Sequence, residues 1–526
     1  MVHVQVLDAS VERAPGAPPR APPGASPGAS PQGVGAGRGR ILPALLVVTF
    51  MAVFVVLAWG RIGAPFGDSH DGRNAAVWAS GSRALRTDGP VASRLGARLN
   101  VAAGAGSTYI DHPPLTYWET AIAEELAGTH PWSSRAPAWV GTLVAMVLLY
   151  LLLQECGVSP MAAAAGVALG FGCPMIGLYG AMLDSWVVGL PWAVASLLVW
   201  QRERMRRPCR SWIVALVTVG AVLSSWQGVL LVAAITTVDL VGAMRSRRLP
   251  ATVRARTLAA AASLVAVGVW MLWAAGSFDG VWSSFVSRTG AGNTAMGPGV
   301  AWRSLRSAWS DLLAPWQVAL GAPLAIVAVA TRRTRRVTVA ALATLVVWIG
   351  LFRSGAAIHD YWSLWVVLPL SLGFAAGVDA LVRFCCRLGV AGAVAPIVAA
   401  MAGVGCLGLA QVSVAQIHVS DGEAAATVLG TATYADSQRT AWYVGDLAQP
   451  VDWISYLTHR PAEQLLTADA VEQLSGRSPD DVILAGGDKS IGTHDTLIVC
   501  PIRVPGSRYT LWTARQLADL LQQQGC

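Results

Sequence analysis

Runs of apolar residues long enough to cross a membrane recur through this chain of 526 residues. The first of them, ILPALLVVTFMAVFVVLAWG, occupies residues 41–60. A helix needs about 20 predominantly apolar residues to cross roughly 30 Å of hydrocarbon. The chain as a whole is 54% hydrophobic and 13% charged, whereas soluble domains carry about 25% charged residues. The sequence therefore predicts a polytopic α-helical membrane protein.

Eleven segments are long and apolar enough to span a membrane. They predict about 11 transmembrane helices in a membrane domain at residues 41–412. Residues 1–40 are rich in Pro, Gly, Ala and Ser and are expected to be disordered, because this composition cannot bury a core. The first span has no obvious cleavage site and is expected to remain as an uncleaved anchor. The predicted spans are residues 41–60, 136–153, 160–178, 185–200, 211–225, 228–244, 257–275, 314–331, 337–353, 362–382 and 389–412.

Four of the loops predicted to lie on the cytoplasmic side are rich in arginine. Short basic loops beside membrane spans are retained in the cytoplasm. This alternation predicts a multi-pass protein of the plasma membrane with a cytoplasmic N-terminus. It also explains the formal net charge of +8, which therefore does not indicate nucleic-acid binding. The basic positions are Arg38, Arg40 and the loops 202–210, 245–256, 332–336 and 383–387.

The same alternation places two large segments outside the cytoplasm. They are the first outer loop, residues 61–135, and the tail, residues 413–526. In the tail, short apolar runs alternate with helix-like segments, which predicts a small extracytoplasmic α/β domain. The strand-like runs are residues 440–446, 481–487 and 496–502, and the clearest helix-like segment is residues 513–524.

The tail also contains Cys500 and Cys526. Disulfides persist outside the cytoplasm, so we expect these two cysteines to be candidates for a bond. The other six of the eight cysteines lie in or beside predicted spans. None has the spacing of a metal site, and we interpret them as inert membrane cysteines.

Acidic, histidine and aromatic residues cluster at the outer ends of the predicted spans, whereas the span interiors carry almost no ionisable groups. Two acids, Asp68 and Asp71, follow the first span. The stretch YIDHPPLTYW at 109–118 then combines His112 and Tyr117 with two prolines that break any helix. This pattern predicts a site at the outer membrane face for a lipid-linked phosphate. Later outer boundaries add Asp184, Trp226, His359 and Tyr361.

Each of these residues also has a simpler structural explanation. Asp71 suits a helix N-cap, and Asp184 suits the end of a span. Tyr117 and Trp226 suit an aromatic belt at the membrane interface. These explanations account poorly for the acid and histidine at positions 111 and 112, and for the recurrence of the pattern at several boundaries.

The order of these motifs resembles the GT-C membrane glycosyltransferases, and most of all the group of protein O-mannosyltransferases and lipid A aminoarabinose transferases. The similarity covers roughly residues 41–380, and HPPLTYW and IHDYW are its most specific pieces. It implies a GT-C-like enzyme that transfers a hexose or pentose from a polyprenyl-phosphate donor. The implied acceptor is an extracytoplasmic glycan, lipid or protein, and in-line attack would invert the sugar.

The resemblance also implies roles for individual residues. Asp71 corresponds to an early acid that acts as general base, with Asp68 as the alternative. Many relatives have a second acid next to it, where this chain has Gly72. Tyr117 belongs to the aromatic segment after the two prolines, and Tyr361 belongs to a late motif near the lipid phosphate.

Two further positions bear on the phosphate. Arg135 corresponds to a basic residue before the second span, and with His359 it is expected to contact the phosphate, because arginine offers a forked set of donors. Asp184 corresponds to an acid in the second outer loop. It is expected either to orient His359 or to bind a divalent cation, and some relatives act without metal.

Two other classes of function stay open. A transporter or lipid flippase usually places ionisable residues within its spans, and here the main acids near spans are Asp239 and Asp379, both toward predicted cytoplasmic ends. An assembly scaffold with a sensory outer domain accounts for the tail. It leaves the clustered outer acids without a role.

Overall fold

A computed structural model describes residues 38–64, 66, 70–99, 108–207, 209–289 and 298–411, and beyond them five short strands. Asp68 and the two tail cysteines, Cys500 and Cys526, lie outside the described residues, as does residue range 1–37. The expectations for these positions therefore stay predictions.

The described chain before residue 412 is almost entirely helical. The first ten helices are α1 (Arg38–Ile62), α2 (His70–Thr87), α3 (Gly89–Ala92), α4 (Leu115–Ala127), α5 (Pro131–Ser134), α6 (Ala136–Glu155), α7 (Pro160–Phe171), α8 (Pro174–Tyr179), α9 (Ser185–Arg204) and α10 (Ser211–Ser224).

The remaining helices follow in the same way, with two short 3₁₀ helices at Asp360–Val366 and Ala391–Ala393. They are α11 (Trp226–Ser246), α12 (Ala251–Ala275), α13 (Phe278–Thr289), α14 (Pro298–Leu312), α15 (Pro315–Ala330), α16 (Arg335–Leu351), α17 (Arg353–Ile358), α18 (Val367–Arg387) and α19 (Val394–Ala410).

Every predicted span coincides with helix. Six helices in the described part of the chain are long and apolar enough to cross a membrane by themselves, and α14 with α15 make a seventh if this pair, bent by 115°, counts as one span. Other predicted spans are shorter helices, such as α7 and α10 with 12 and 14 residues. The six are Ile41–Ile62, Ala136–Glu155, Trp226–Ser246, Ala251–Ala275, Asp360–Arg387 and Ala391–Ala410.

One predicted span is interrupted. The run 160–178 forms α7 and α8 with a break at Gly172 and Cys173. A Cβ on Gly172 would lie 2.5 Å from the Cα of Gly405. The backbones at the end of α7 and in α19 are therefore in direct contact here. Pro174 then starts α8, because proline is accepted in the first turn of a helix but not in its interior.

Tyr117 fixes the packing of α4 against α2. Its side chain is fully buried, and its ring centroid lies 4.6 Å from that of Trp78. A Cβ on Gly81 would lie 2.4 Å from the Cε1 of Tyr117, and a Cβ on Gly96 would lie 2.8 Å from its Cβ. Glycines on two sides therefore make the space that this aromatic ring fills.

Glu124 joins the same helices by polar contacts. Its carboxylate accepts hydrogen bonds from Ser82 at 3.1 Å and from Ser134 at 2.5 Å, and it pairs with Arg86 at 3.1 Å. These hydrogen bonds and the ion pair offset the cost of burying the carboxylate. They tie α2, α4 and α5 into one unit. This unit carries several of the candidate site residues.

The tail contains a mixed five-stranded sheet, whose order is β2-β1-β3-β5-β4. β1 is parallel to β2 and β3, whereas β5 is antiparallel to β3 and β4. Its strands are β1 (Ala441–Val444), β2 (Ala462–Leu465), β3 (Val482–Gly486), β4 (Ile502–Arg503) and β5 (Tyr509–Thr513).

Two of the three strand predictions in the tail are confirmed, because β1 and β3 fall within the runs 440–446 and 481–487. Of the third run, 496–502, only Ile502 belongs to a described strand. The sequence did not predict β2 and β5. The helix-like segment 513–524 begins at the last residue of β5, and the rest of it lies outside the described residues.

Candidate active site

Asp71 lies in the first turn of α2, and its Oδ2 accepts a hydrogen bond from Nη2 of Arg135 at 3.0 Å. The Asp71 side chain is 17% exposed, whereas that of Arg135 is 1% exposed. Arg135 also donates to the carbonyl of Ala64 at 2.6 Å, and its guanidinium lies 4.7 Å from the ring centroid of Phe66. The carboxylate of Asp71 is therefore partly accessible to solvent. The guanidinium of Arg135 is buried and is held by Ala64 and Phe66.

This arrangement changes the expectation for Arg135. The sequence suggested that it contacts phosphate, but in the structure its guanidinium is engaged by Asp71 and Ala64. A contact between Arg135 and a phosphate stays a prediction.

Asn74 follows Asp71 by three residues, so the two side chains share a face of α2. The Nδ2 of Asn74 donates to Oδ2 of Asp184 and to the hydroxyl oxygen of Tyr361, in both cases at 2.9 Å. The sequence did not single out Asn74. It joins three segments of the chain that are far apart in sequence.

Asp184 is the N-cap of α9, and its Oδ1 accepts from the backbone N–H of Ser185 at 2.6 Å. The side chain is buried, and burial raises the pKa of Asp184 to about 8, although the hydrogen bonds from Ser185 and Asn74 oppose this. The capping explanation for Asp184 is therefore correct. Its partner toward the site is Asn74.

Tyr361 and His359 continue this network. The hydroxyl oxygen of Tyr361 lies 3.2 Å from Nδ1 of His359, and the Nε2 of His359 lies 3.4 Å from Nη1 of Arg288. The other end of the guanidinium forms an ion pair with Asp111, which also accepts from Ser284. A chain of polar contacts thus runs from Asp184 to Asp111.

The sequence missed Arg288, which lies in the last turn of α13. The signal that could have found it is an arginine on an amphipathic helix within a loop predicted to be extracytoplasmic. Burial alone would raise the pKa of Asp111, but Arg288 and the Ser284 hydroxyl outweigh burial and lower it. Asp111 is therefore ionised and holds Arg288 in place.

His112 is enclosed by aromatic rings and does not line an open site. It is 3% exposed, and its ring centroid lies 4.8 Å from that of Trp186 and 6.0 Å from those of Trp78 and Tyr109. Burial lowers the pKa of His112 to about 3, so the imidazole is neutral. In the structure the side chain is part of the core, and a contact between His112 and substrate stays a prediction.

Tyr117 and Trp226 both hold the stretch 109–118 in place by hydrogen bonds to its backbone. The buried Tyr117 donates its hydroxyl hydrogen to the carbonyl of Tyr109 at 3.1 Å. The indole N–H of Trp226 donates to the carbonyl of Asp111 at 2.8 Å. The structure therefore gives both residues a positioning role for the stretch 109–118. The ring of Tyr117 is fully buried, and its direct contact with substrate stays a prediction.

A second group of side chains lies at the ends of α1 and α8. Tyr179 donates to Oδ2 of Asp360 at 2.8 Å, and Arg61 donates to the carbonyl of Gly177. Within the described chain, the buried Nε and Nη1 of Arg61 have no hydrogen-bond partner. The sequence singled out neither Arg61 nor Tyr179. The positive charge of Arg61 and the hydroxyl of Tyr179 add to the polar surroundings of Asp71. Arg61 interacts electrostatically with Asp71.

The residues around Asp184 do not suit a divalent cation. In the described part of the chain, no three His, Cys, Asp or Glu side chains are grouped so that they could hold a metal. The carboxylate of Asp184 is taken by N–H donors from Ser185 and Asn74. Of the two expectations for Asp184, the structure favours orientation of the Tyr361–His359 pair, through Asn74.

An apolar groove of about 440 Å³ lies between α4, α6 and α9. Its only charged lining residue is Glu119, whose Oε1 accepts from the indole of Trp192 at 3.0 Å. Burial raises the pKa of Glu119 to about 7, and the bond from Trp192 opposes this. Two other lining residues, Ile122 and Val144, are 60% and 42% exposed, so the groove continues into an apolar surface that suits hydrocarbon.

The two acids that bear on a transport function are both neutralised by arginine. Asp239 pairs with Arg204 and Arg256, and Asp379 pairs with Arg383. These ion pairs link neighbouring helices or helical turns, and none of them requires a transport pathway. The structure therefore gives no observation that favours a transporter or flippase.

The fold is that of a GT-C membrane protein. The chain is similar to ArnT from Cupriavidus metallidurans bound to undecaprenyl phosphate, with a TM-score of 0.60 and 13% identity over 90% of this chain and 97% of that chain. For the apo state of the same protein the TM-score is 0.58, with 14% identity over 91% and 98% of the two chains. The predicted fold class is therefore confirmed.

A family model described as dolichyl-phosphate-mannose-protein mannosyltransferase matches residues 111–273. No curated protein matches this chain. The match begins at Asp111 and spans HPPLTYW, Arg135, Asp184 and Trp226. Together with the structural similarity it confirms the resemblance to GT-C glycosyltransferases of the mannosyltransferase and aminoarabinose transferase group.

Proposed function

We propose that this chain is an integral membrane glycosyltransferase that transfers a sugar from a polyprenyl-phosphate donor to an acceptor outside the cytoplasm, with inversion. The observation that carries the proposal is the pairing of two different centres in one site. One is a partly exposed carboxylate, Asp71, held by the buried Arg135. The other is a cationic centre formed by Arg288 and His359. Asn74 joins them through Tyr361 and Asp184.

Asp71 supplies the base. The acceptor hydroxyl loses its proton to the Asp71 carboxylate while its oxygen attacks the anomeric carbon of the donor sugar. Such a positioned base contributes typically 10²–10⁴-fold to a rate. Arg135 orients the carboxylate before the reaction, because the two side chains are in contact at 3.0 Å.

The cationic centre supplies stabilisation of the leaving group. As the new bond forms, the bond between the anomeric carbon and the phosphate oxygen breaks, and both electrons of that bond leave with the lipid phosphate. A phosphate monoester is stable as an anion and needs positive charge and N–H donors more than an acid. Arg288 and His359 provide those donors, and attack from the opposite face inverts the anomeric centre.

The lipid part of the donor also has a suitable surface. The groove between α4, α6 and α9 is lined almost entirely by apolar side chains. α4 starts directly after the stretch that carries Asp111 and His112. ArnT, whose fold this chain shares, has been crystallised with undecaprenyl phosphate, which supports a polyprenyl-phosphate donor here.

The test is transfer by the purified full-length protein in lipid nanodiscs. Polyprenyl-phosphate hexoses and pentoses are offered with a detergent extract of cell-envelope acceptors, and labelled sugar is followed into product. We expect transfer from at least one donor with release of free polyprenyl phosphate. Protein that binds none of the donors, and releases no lipid phosphate from any of them, would contradict the proposal.

A further inference from the structure

Arg61 has more hydrogen-bond donors than partners. It lies in the last turn of α1, and its Nη2 donates to the carbonyl of Gly177 in α8. Its Nε and Nη1 are buried and have no hydrogen-bond partner among the described residues. A guanidinium can only donate, and it stays protonated in proteins. These two nitrogens therefore need an acceptor that the described chain does not supply.

Asp360 has the opposite deficit. It begins the 3₁₀ helix Asp360–Val366, and its Oδ2 accepts from the hydroxyl of Tyr179 at 2.8 Å. Its Oδ1 is buried and has no partner in the described part of the chain. Buried polar atoms in proteins are nearly always hydrogen-bonded. Oδ1 therefore needs a donor from outside the described chain.

The short helix α8 brings these two deficits together. Gly177, which accepts from Arg61, and Tyr179, which donates to Asp360, both belong to α8. Tyr179 also interacts electrostatically with both Arg61 and Asp360. We call Arg61, Tyr179 and Asp360 the α8 patch. All three residues are half-buried, as expected for the wall of a site and not for a closed core.

The α8 patch borders the candidate base. Arg61 and Tyr179 both interact electrostatically with Asp71. The ring centroid of Tyr179 lies 5.2 Å from that of Tyr361. The hydroxyl oxygen of Tyr361 lies 2.9 Å from Nδ2 of Asn74, which shares a face of α2 with Asp71. A ligand held by the patch would therefore lie beside the carboxylate of Asp71.

The two deficits together select a ligand that both accepts and donates. Arg61 needs an acceptor, and Oδ1 of Asp360 needs a donor. An anionic oxygen accepts from Arg61 but brings no hydrogen for Asp360, and an ammonium group does the reverse. A hydroxyl has one hydrogen and two lone pairs. Two neighbouring hydroxyls of a sugar ring can therefore satisfy both groups at once.

We propose that Arg61 and Asp360 form a subsite that binds two neighbouring hydroxyls of a sugar, with Tyr179 holding Asp360 in place. Arg61 donates to the oxygen of one hydroxyl, and the other hydroxyl donates to Oδ1 of Asp360. The part that this sugar plays in a transfer reaction rests on the function proposed above. The binding of sugar hydroxyls does not, since it follows from the contacts of the α8 patch.

The first experiment measures sugar binding without any lipid donor. Full-length protein in nanodiscs is titrated with methyl glycosides of hexoses and pentoses, and saturation-transfer difference NMR reports which of them bind. We expect at least one glycoside to bind saturably, with the ring protons beside two neighbouring hydroxyls closest to the protein. Wild-type protein that binds none of the glycosides would overturn the proposal.

Two variants test the two groups separately. Arg61→Met removes the donors and should weaken glycoside binding about tenfold or more, the loss typical of a hydrogen bond to a charged group. Asp360→Asn can keep the bond from Tyr179 and should weaken binding about three- to tenfold, because an N–H replaces the free acceptor. Arg333→Met is the matched control, since this exposed arginine also donates to a carbonyl after a helix end, that of Gly157, at 3.0 Å. Wild-type affinity in Arg61→Met or in Asp360→Asn would refute the subsite.

The third experiment removes hydroxyls from the ligand, so that no variant has to fold. Deoxy forms of the glycoside that binds, each lacking one hydroxyl, are offered to the wild-type protein. We expect losses of about three- to tenfold at two neighbouring positions and little effect elsewhere. In Arg61→Met the loss at one of these positions should disappear, because its partner is already gone. Equal losses at all positions of the ring would contradict the subsite.

Transfer assays then identify which sugar the subsite holds. Polyprenyl-phosphate donors and glycan acceptors lacking the same hydroxyls are compared by kcat/KM in the wild-type protein and in Arg61→Met. The series whose loss disappears in Arg61→Met contains the sugar bound by the α8 patch. If the protein transfers sugar and neither series responds to Arg61→Met, the proposed function stands and this inference is wrong. If the protein transfers no sugar and binds no polyprenyl phosphate, the proposed function is wrong, and the glycoside titration still decides the subsite.

Discussion

At the scale of single residues, the site consists of charges that are each held by a second side chain. Asp71 has Arg135 behind it, and Arg288 has Asp111. Charge-assisted hydrogen bonds are stronger than neutral ones and fix geometry as well as charge. The protein therefore holds the carboxylate of Asp71 and the guanidinium of Arg288 in place before any substrate arrives.

The first prediction concerns the base. Asp71→Asn should abolish sugar transfer while expression and thermal unfolding stay at wild-type values, since the amide keeps the size of the side chain but cannot take a proton. Transfer of labelled sugar by purified protein is the measurement. Asp88→Asn is the matched control, because Asp88 is exposed and its side chain makes no capping bond.

Wild-type turnover in Asp71→Asn would show that the base is elsewhere. Asp68 would then be the next residue to replace. It lies outside the described residues, so only the sequence supports it at present.

The second prediction concerns the cationic centre. Arg288→Ala should raise the KM for the polyprenyl-phosphate donor about 10- to 100-fold, because hydrogen bonds to charged groups contribute roughly 1.5–3 kcal/mol each. Arg303→Ala serves as control, since Arg303 is an exposed arginine of the neighbouring α14. The double variant Arg288→Ala, Asp111→Asn removes the unpaired acid that the single change leaves behind. A normal KM in the double variant would refute the role of Arg288.

At the scale of elements, the site depends on how α2 and α4 pack. Tyr117 on α4 fills a space that Gly81 and Gly96 leave open. The stretch 109–114, with Asp111 and His112, lies directly before α4. A shift of α4 would therefore move Asp111 away from Arg288.

The third prediction tests this packing. Gly96→Ala should lower stability by about 1–3 kcal/mol, since its Cβ would meet Tyr117 at 2.8 Å and its φ of +94° already disfavours alanine. Gly89→Ala isolates the backbone effect, because Gly89 has a φ of +81° and no atom within 4 Å of an added Cβ. Thermal unfolding in detergent compares the two. Equal losses of stability would mean that contact with Tyr117 adds nothing.

At the scale of the whole molecule, the arginine-rich loops of the helical membrane domain are all predicted to lie on one side of the membrane. The proposed chemistry needs the ends of the spans that carry Asp71, Asp184 and His359 to face away from the cytoplasm. The arginine pattern favours this orientation. It also predicts that the sheet of the tail lies on the same side.

The fourth prediction tests that orientation. An alkaline phosphatase reporter fused after Cys526 should be active, because this enzyme folds only after export. The same reporter fused after Thr334, in the arginine-rich loop before α16, should be inactive. An inactive reporter at Cys526 together with an active one at Thr334 would reverse the orientation, and the proposed site would then face the cytoplasm.

The sequence by itself determined the membrane fold and proposed Asp71 as the base. A helix must cross the hydrocarbon with about 20 consecutive residues of its own. A span can therefore be recognised from the local sequence alone. The break between α7 and α8 was missed although Gly172 and Pro174 mark it locally, whereas the contact of Gly172 with Gly405 on α19 depends on helix packing. Asp71 was found because its place after the first span belongs to a motif order that resembles a known group.

Only the tertiary structure decided which side chains act together. Asp111 and Arg288 are 177 residues apart, and Asn74 and Tyr361 are 287 residues apart. Such contacts follow from how whole helices pack, and no local pattern fixes them. The same reason explains His112, which the sequence marked as a substrate contact. Its burial depends on aromatic rings from α2 and α9, and that packing makes it a neutral core residue.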